Sequence, residues 1–181
     1  ESLVIFSDNF EIYSTAASPI RSNWSTQVTL GEGTIQIDNF SGNKAVRLYN
    51  ASTKKDRTVL GAADIFDGQD VITLSFDSFN DNATQIVGNL GVSVGVGNVA
   101  SHLNQVRKVS LRPHIKADIW HHFDWIVNQS GAIVEYMVDG RSHSIAIGSA
   151  DLWCDGILVV DNGNDKPVKD YQHGDATLID S

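Results

Sequence analysis

Hydrophobic and polar residues trade places at every second position in run after run of this chain, the period of a strand with one buried face. The clearest case is Asp118–Gly140, D-I-W-H-H-F-D-W-I-V-N-Q-S-G-A-I-V-E-Y-M-V-D-G. Its two alternating runs, His121–Asn128 and Ile133–Val138, flank a short polar turn carrying Gly131, and the second run closes on Asp139–Gly140. This reads as a β-hairpin. Further strands are expected at Leu3–Phe6, Thr34–Asp38, Ala45–Tyr49, Arg57–Leu60, Asp70–Asn80, Gly88–Gly97, Val106–Pro113, Ser142–Ile147, Gly156–Asp161 and Thr177–Asp180. Between them stand G-E-G, S-G-N, F-D-G, N-D-N and D-N-G-N-D, whose residues accept the backbone angles of reversals. The three prolines fall outside strand centres, and the single candidate helical turn is Val99–Gln105. No repeat or composition shift marks a second domain, so residues 1–181 read as one all-β domain, an antiparallel β-sandwich.

Alternation also assigns faces. Val92, Val94 and Val96 share one side of their run, with Ser93, Gly95 and Gly97 opposite; Val109 and Leu111 lie against Lys108, Ser110 and Arg112. In the hairpin, Phe123, Trp125 and Val127 are expected in the core and His122, Asp124 and Ile126 outside. On the return run Val134, Tyr136 and Val138 face in, while Glu135 and Met137 face out. One sheet would then present small residues beside Arg112, His122, Asp124 and Glu135, a groove in which an extended polymer could lie close to the backbone.

Charge narrows the ligand. With 41% hydrophobic residues the chain can build a substantial core, yet no stretch reaches the ~18 apolar residues of a membrane helix. A net charge of −9 argues against nucleic acid and anionic membranes, and it favours neutral over strongly sulfated or uronate glycans. The lone Cys154 excludes an intramolecular disulfide and reads as a buried, inert thiol without a spaced partner. Five N-x-S/T sequons start at Asn23, Asn39, Asn50, Asn82 and Asn128 and matter only in a eukaryotic secretory context. An N-terminal Glu1 is expected of a mature protein or of a module cut from a longer one.

Candidate chemistry is scattered. His121 and His122 are adjacent on a strand and point to opposite faces, so they cannot share one metal ion. Trp125 and Trp24 read as core. Trp120 and Trp153 lie at strand ends, and with Tyr171 in K-D-Y-Q-H-G they are candidate platforms for sugar stacking. Asp8 and Glu11 near the start, with Asp175 and Asp180 near the end, are candidate ligands for a structural calcium ion, a hard cation suited to carboxylates and carbonyls.

Three stretches carry a family resemblance, Phe6–Tyr13 (F-S-D-N-F-E-I-Y) followed by Trp24, Gly42–Tyr49 (G-N-K-A-V-R-L-Y) and Trp120–Gly140, and with the closing Ala176–Asp180 run it spans nearly the whole chain. In their order and spacing they resemble the concanavalin A-like and laminin G-like jelly-roll superfamily of lectins, carbohydrate-binding modules and glycan-active enzymes. The resemblance implies a jelly-roll sandwich that binds polysaccharide without catalysis, a monomeric module tethered to a catalytic domain in a secreted bacterial protein. Arg112, His114, His122, Asp124 and Glu135 would form the groove, rimmed by Trp120, Trp153 and Tyr171. The E-x-D-x-x-E array of the retaining glucanases is absent, as are the R-x-E-L-R, Q-I-H and Y-x-K-x-G-x-Y motifs of the alginate-type lyases. The alternative reading is a polysaccharide lyase acting on a uronate polymer by β-elimination, with Arg107, Arg112, His114, His122 and Tyr136 as the available analogues.

Far-UV circular dichroism should show mostly β-structure. A helical content above about a fifth would contradict the period-two pattern.

Overall fold

A computed structural model of the chain describes residues 7–16, 24, 26–29, 34–40, 42–49, 58–62, 70–80, 91–95 and 105–163. Among these, 66% are strand and none is helix, and the paired strands run antiparallel. The strands are β1 Thr26–Thr29, β2 Thr34–Phe40, β3 Asn43–Tyr49, β4 Thr58–Gly61, β5 Val71–Phe79, β6 Gly91–Gly95, β7 Gln105–Ser110, β8 Trp120–Asn128, β9 Val134–Val138, β10 Arg141–Ile145, β11 Ala150–Cys154 and β12 Ile157–Gly163. The expected runs Leu3–Phe6 and Thr177–Asp180, and most of the Val99–Gln105 turn, lie outside the described residues. The chain separates into two compact units, one holding β1–β4 and the other β5–β12.

In the first unit β2 pairs with β3 from Thr34↔Tyr49 to Phe40↔Asn43, and β1 pairs with β4. Ile35 and Ile37 are buried on alternate positions of β2, as the pattern requires. Asp8 ties down the segment before them. Its Oδ1 accepts the Phe10 N–H at 2.8 Å, and its Oδ2 accepts the Tyr13 hydroxyl and the Trp24 indole N–H at 3.1 and 2.9 Å. Phe10 stacks on Trp24 with centroids 5.7 Å apart.

The second unit is built on a four-stranded sheet in the order β12-β11-β8-β5. This overturns the expected hairpin of Asp118–Gly140. β8 pairs with β5 and β11, whereas β9 pairs with β10, so the N-Q-S-G link carries the chain from one sheet to another. The physical reason is Asn128, which is fully buried. Its Nδ2 donates to the carbonyls of Ala132 and Ile145 at 2.9 and 3.1 Å, and its Oδ1 accepts the N–H and hydroxyl of Ser130 at 2.9 and 2.7 Å. These bonds fix a crossover where a tight reversal was expected. Committed in this way, Asn128 cannot serve as a glycosylation acceptor in the folded chain. The true reversals are Asp139–Gly140 between β9 and β10 and Asp155–Gly156 between β11 and β12. All four residues have positive φ (48° and 74°, 51° and 75°), the combination that a two-residue type I′ hairpin demands.

The two hairpins omitted from the four-stranded sheet are associated with its opposite faces. Phe76, Phe123, Trp125, Val127, Leu152 and Cys154 share one face, on which Phe76 and Phe123 stack at 5.5 Å. Arg107 and Val109 of β7 line a shallow hollow there with Trp125, Ala150 and Val160. On the other face Ile126 and Trp153 form a core with Ile145 of β10, and Val71, Tyr136, Val138 and Leu158 pack around it. Ile126 therefore points to the side expected but is buried, because β9–β10 folds over its end of the sheet. One polar chain fastens that cover. The Trp153 indole N–H donates to the Tyr136 hydroxyl at 3.0 Å, which donates to Asp151 Oδ2 at 2.5 Å, while Asp151 Oδ1 accepts the Asn162 N–H at 2.6 Å.

Phe123→Ala should cost about 3–5 kcal/mol of stability in denaturant unfolding, because it empties a site with no exposed surface. Tyr136→Phe keeps the ring and removes only the hydroxyl, so it should cost roughly 1–3 kcal/mol by leaving the buried Asp151 short of a donor. An unchanged midpoint for Tyr136→Phe would mean that this hydroxyl does not help to hold the cover.

Candidate functional site

Because β9–β10 covers only one end of its face, the other end of the β5–β8 pair stays open. Four polar side chains stand there on two strands: Ser75 and Asp77 of β5, His122 and Asp124 of β8. Register places Asp77 opposite His122 and Ser75 opposite Asp124, and alternation sends all four to the same side. The His122 Nδ1–H donates to Asp77 Oδ1 at 2.6 Å. Its Nε2 lies 3.2 Å from Ser75 Oγ and 3.5 Å from Asp124 Oδ2. The hydrogen bond to Asp77, reinforced by the charge of Asp124, raises the His122 pKa above its ordinary value, against a smaller opposing effect of burial. The side chains of His122, Asp77 and Asp124 are 51%, 65% and 41% exposed, so the patch is open to a ligand from solvent. Chemically it offers carboxylate acceptors and imidazole and hydroxyl donors within one cross-strand neighbourhood.

Of the other expected residues, Trp120 shares this face by register, opposite Phe79 and two positions along β8 from His122. Arg112 and His114 sit in the turn after β7, and the His114 carbonyl lies 3.9 Å from the Cys154 sulfur, on the opposite face of the sheet. Glu135 is exposed on β9 and points away from the core residues Tyr136 and Val138. Trp153 is only 7% exposed, so it cannot be a rim platform: the β9–β10 hairpin covers it, and His143 packs edge-on at 4.7 Å. Trp120 is half-buried against Phe79 at 5.3 Å, and its indole nitrogen is shielded without a hydrogen-bond partner. Tyr171, Asp175 and Asp180 lie outside the described residues. Of the remaining calcium candidates, Asp8 accepts the three donors already named. Glu11 accepts the Lys44 N–H at 3.1 Å on its side chain and the Lys44 ammonium at 2.7 Å on its carbonyl.

Among the lyase analogues, Arg107 is buried and its guanidinium donates to the Gly148 carbonyl. The Tyr136 hydroxyl is committed to Asp151, and burial followed by that hydrogen bond pushes its pKa far up. Ser75 and Asp77 escaped sequence reasoning, although alternation within S-F-D marks them as outward-facing. What the sequence lacks is the register that sets them beside His122.

A second polar cluster lies across the sheet. His121 is buried, and the Lys116 N–H donates to its Nε2 at 3.0 Å, which leaves the proton on Nδ1 to be donated to Asp155 Oδ2 at 2.7 Å. Asp155 Oδ1 accepts the His122 N–H at 2.9 Å, and the hydrogen bond from His121, then that from His122, lowers the Asp155 pKa. The Cys154 sulfur lies 3.8 Å from both His121 Nδ1 and Asp155 Oδ2. Cys154 thus has the partners that its sequence surroundings did not reveal. Burial and the nearby carboxylate push its thiol up, away from thiolate reactivity.

Titration of His122 by NMR should give a pKa above the ordinary ~6.5, and Asp77→Asn should bring it down towards that value. The sign for stability follows. A raised histidine pKa adds stability that is complete below the ordinary value and is lost as pH rises through the raised one, a small effect at so exposed a pair. An unmoved pKa in Asp77→Asn would remove that hydrogen bond from the site. No family model, no curated protein and no solved structure matches this chain.

Proposed function

We propose that this chain is a non-catalytic carbohydrate-binding module of jelly-roll type, belonging to a secreted polysaccharide-degrading protein, and that it binds a neutral glycan on the open end of the β5–β8 face. The observation that carries the reading is the cross-strand set Ser75, Asp77, His122 and Asp124, exposed on a sheet whose other end is closed by a hairpin. Each carboxylate can accept sugar hydroxyls and Ser75 can donate to ring and hydroxyl oxygens, while His122, its Nδ1–H held by Asp77, offers Nε2 as an acceptor when neutral and a donor when protonated. Thr73, exposed on the same strand and face, extends the polar strip. The net charge of −9 supports a neutral polymer over a uronate one. Binding is favoured over β-elimination because the Tyr136 hydroxyl and the Arg107 guanidinium are already engaged inside the unit.

Electrophoresis through gels containing neutral plant and algal polysaccharides should retard the chain with at least one of them. Asp124→Asn and Asp77→Asn should each weaken that retention about tenfold without changing the melting temperature by more than a degree or two, as exposed substitutions do. No new reducing ends and no unsaturated uronate product should accumulate. Growth of the unsaturated product would replace binding with lyase activity. Retention unaffected by both substitutions would move the site elsewhere.

A further inference from the structure

We infer that His121, Cys154 and Asp155 form a site for one divalent ion of the zinc class, on the opposite face of the sheet from the patch assigned to glycan and independent of that assignment. The donor atoms of the three side chains all lie within 4.8 Å of one another. Individually, Nδ1 to Oδ2 is 2.7 Å, Sγ to Nδ1 is 3.8 Å and Sγ to Oδ2 is 3.8 Å. Tetrahedral zinc, with bonds of about 2.3 Å to sulfur and about 2.0–2.1 Å to nitrogen or oxygen, holds such donors roughly 3.3–3.6 Å apart. The triangle therefore has to open by about 0.6 Å on its short edge and close slightly on the other two. A thiolate with an imidazole selects a borderline-soft ion over calcium or magnesium.

Three further features suit an ion there. His121 and Cys154 are buried, whereas Asp155 is exposed on the β11–β12 turn, so the ligand set has a protected floor and an entry path. Asp155 Oδ1 is held by the His122 N–H, which aims Oδ2 into the triangle in the way that outer hydrogen bonds orient metal-binding carboxylates. Three protein ligands leave a fourth position, bordered by the His114 carbonyl, for water.

Proton accounting is explicit. Binding expels the thiol proton of Cys154 to solvent, and the imidazole proton passes through solvent from Nδ1 to Nε2. The ring then no longer accepts from the Lys116 N–H, so binding has to give up that 3.0 Å hydrogen bond. One proton is released per ion.

The test is titration of the reduced, metal-free chain with cobalt(II), followed by zinc. A thiolate-to-cobalt charge-transfer band should rise to an end point at one equivalent and be abolished by zinc. Zinc should also slow alkylation of Cys154 by at least tenfold. Cys154→Ser, checked for folding by circular dichroism, should lose the band. Asp155→Asn is the variant that preserves the turn, because asparagine tolerates the φ of 51° found there, and it should weaken cobalt binding at least tenfold. Three outcomes each overturn the site: no thiolate band in the folded wild-type chain, equal cobalt affinity in Asp155→Asn, or alkylation of Cys154 unchanged by zinc.

Discussion

The arrangement of the larger unit depends on a buried carboxylate. Asp151 is 1% exposed, and a charge so placed persists only where donors replace the water it has lost. It finds them in two directions, the Tyr136 hydroxyl from the β9–β10 hairpin and the Asn162 N–H from β12. Without the hairpin the carboxylate would lack its hydroxyl partner, and without Asp151 the hairpin would keep its apolar contacts with Ile126, Trp153 and Leu158, which are non-directional, and the bonds that Trp153, Asn128 and Asn162 donate to it. The polar bond therefore supplies the specificity that burial cannot. Together with the bonds from Trp153, Asn128 and Asn162, it ties the hairpin to one end of the sheet and leaves the other end of the β5–β8 face open.

That division explains why one strand serves opposite purposes along its length. β8 alternates strictly, so His121, Phe123, Trp125 and Val127 occupy one face and Trp120, His122, Asp124 and Ile126 the other. On that second face His122 and Asp124 are polar where the hairpin is absent, Ile126 is apolar where it lies, and Trp120 at the open end packs on Phe79. Burial thus follows what packs on each position as well as the side to which it points. Asn128, at the far end, completes the pattern by binding the carbonyls that start and finish the excursion through β9 and β10. A core amide with its groups satisfied acts as a splice between two sheets.

These particulars show where the sequence was legible. Phe123, Trp125 and Val127 are buried as period-two reasoning requires, and the Asp139–Gly140 reversal is visible in its letters because so few residue pairs tolerate two positive φ values. The all-β class followed from the same local patterns. Strand partnership was not legible: β8 and β9 are neighbours in sequence and members of different sheets, because a buried Asn128 outweighs the turn chemistry of N-Q-S-G. The strand Ala150–Cys154 was missed because it is buried on both faces and so carries no alternation to detect. Both polar clusters rest on pairings between distant strands, Asp77 with His122 and Cys154 with Phe123, and no local pattern encodes those. Trp153 shows the converse hazard, since its place beside a turn suggested exposure while a hairpin from elsewhere covered it.

The two clusters share a single backbone junction. Asp155 accepts the His122 N–H on one oxygen and the His121 ring proton on the other, while its own N–H donates to the His122 carbonyl at 2.8 Å. The turn that closes β11–β12 is therefore pinned to β8 at the point where consecutive histidines leave for opposite faces. Rotating Asp155 would disturb the backbone of the residue that bears the exposed imidazole and the side chain of the residue that fills the core. The left-handed geometry at Asp155–Gly156 helps fix that orientation, because a type I′ turn leaves its first residue little freedom to swing away. Faces that share no side-chain contact are thus joined through one carboxylate. The contents of the inner cluster bear directly on how firmly the outer one is held.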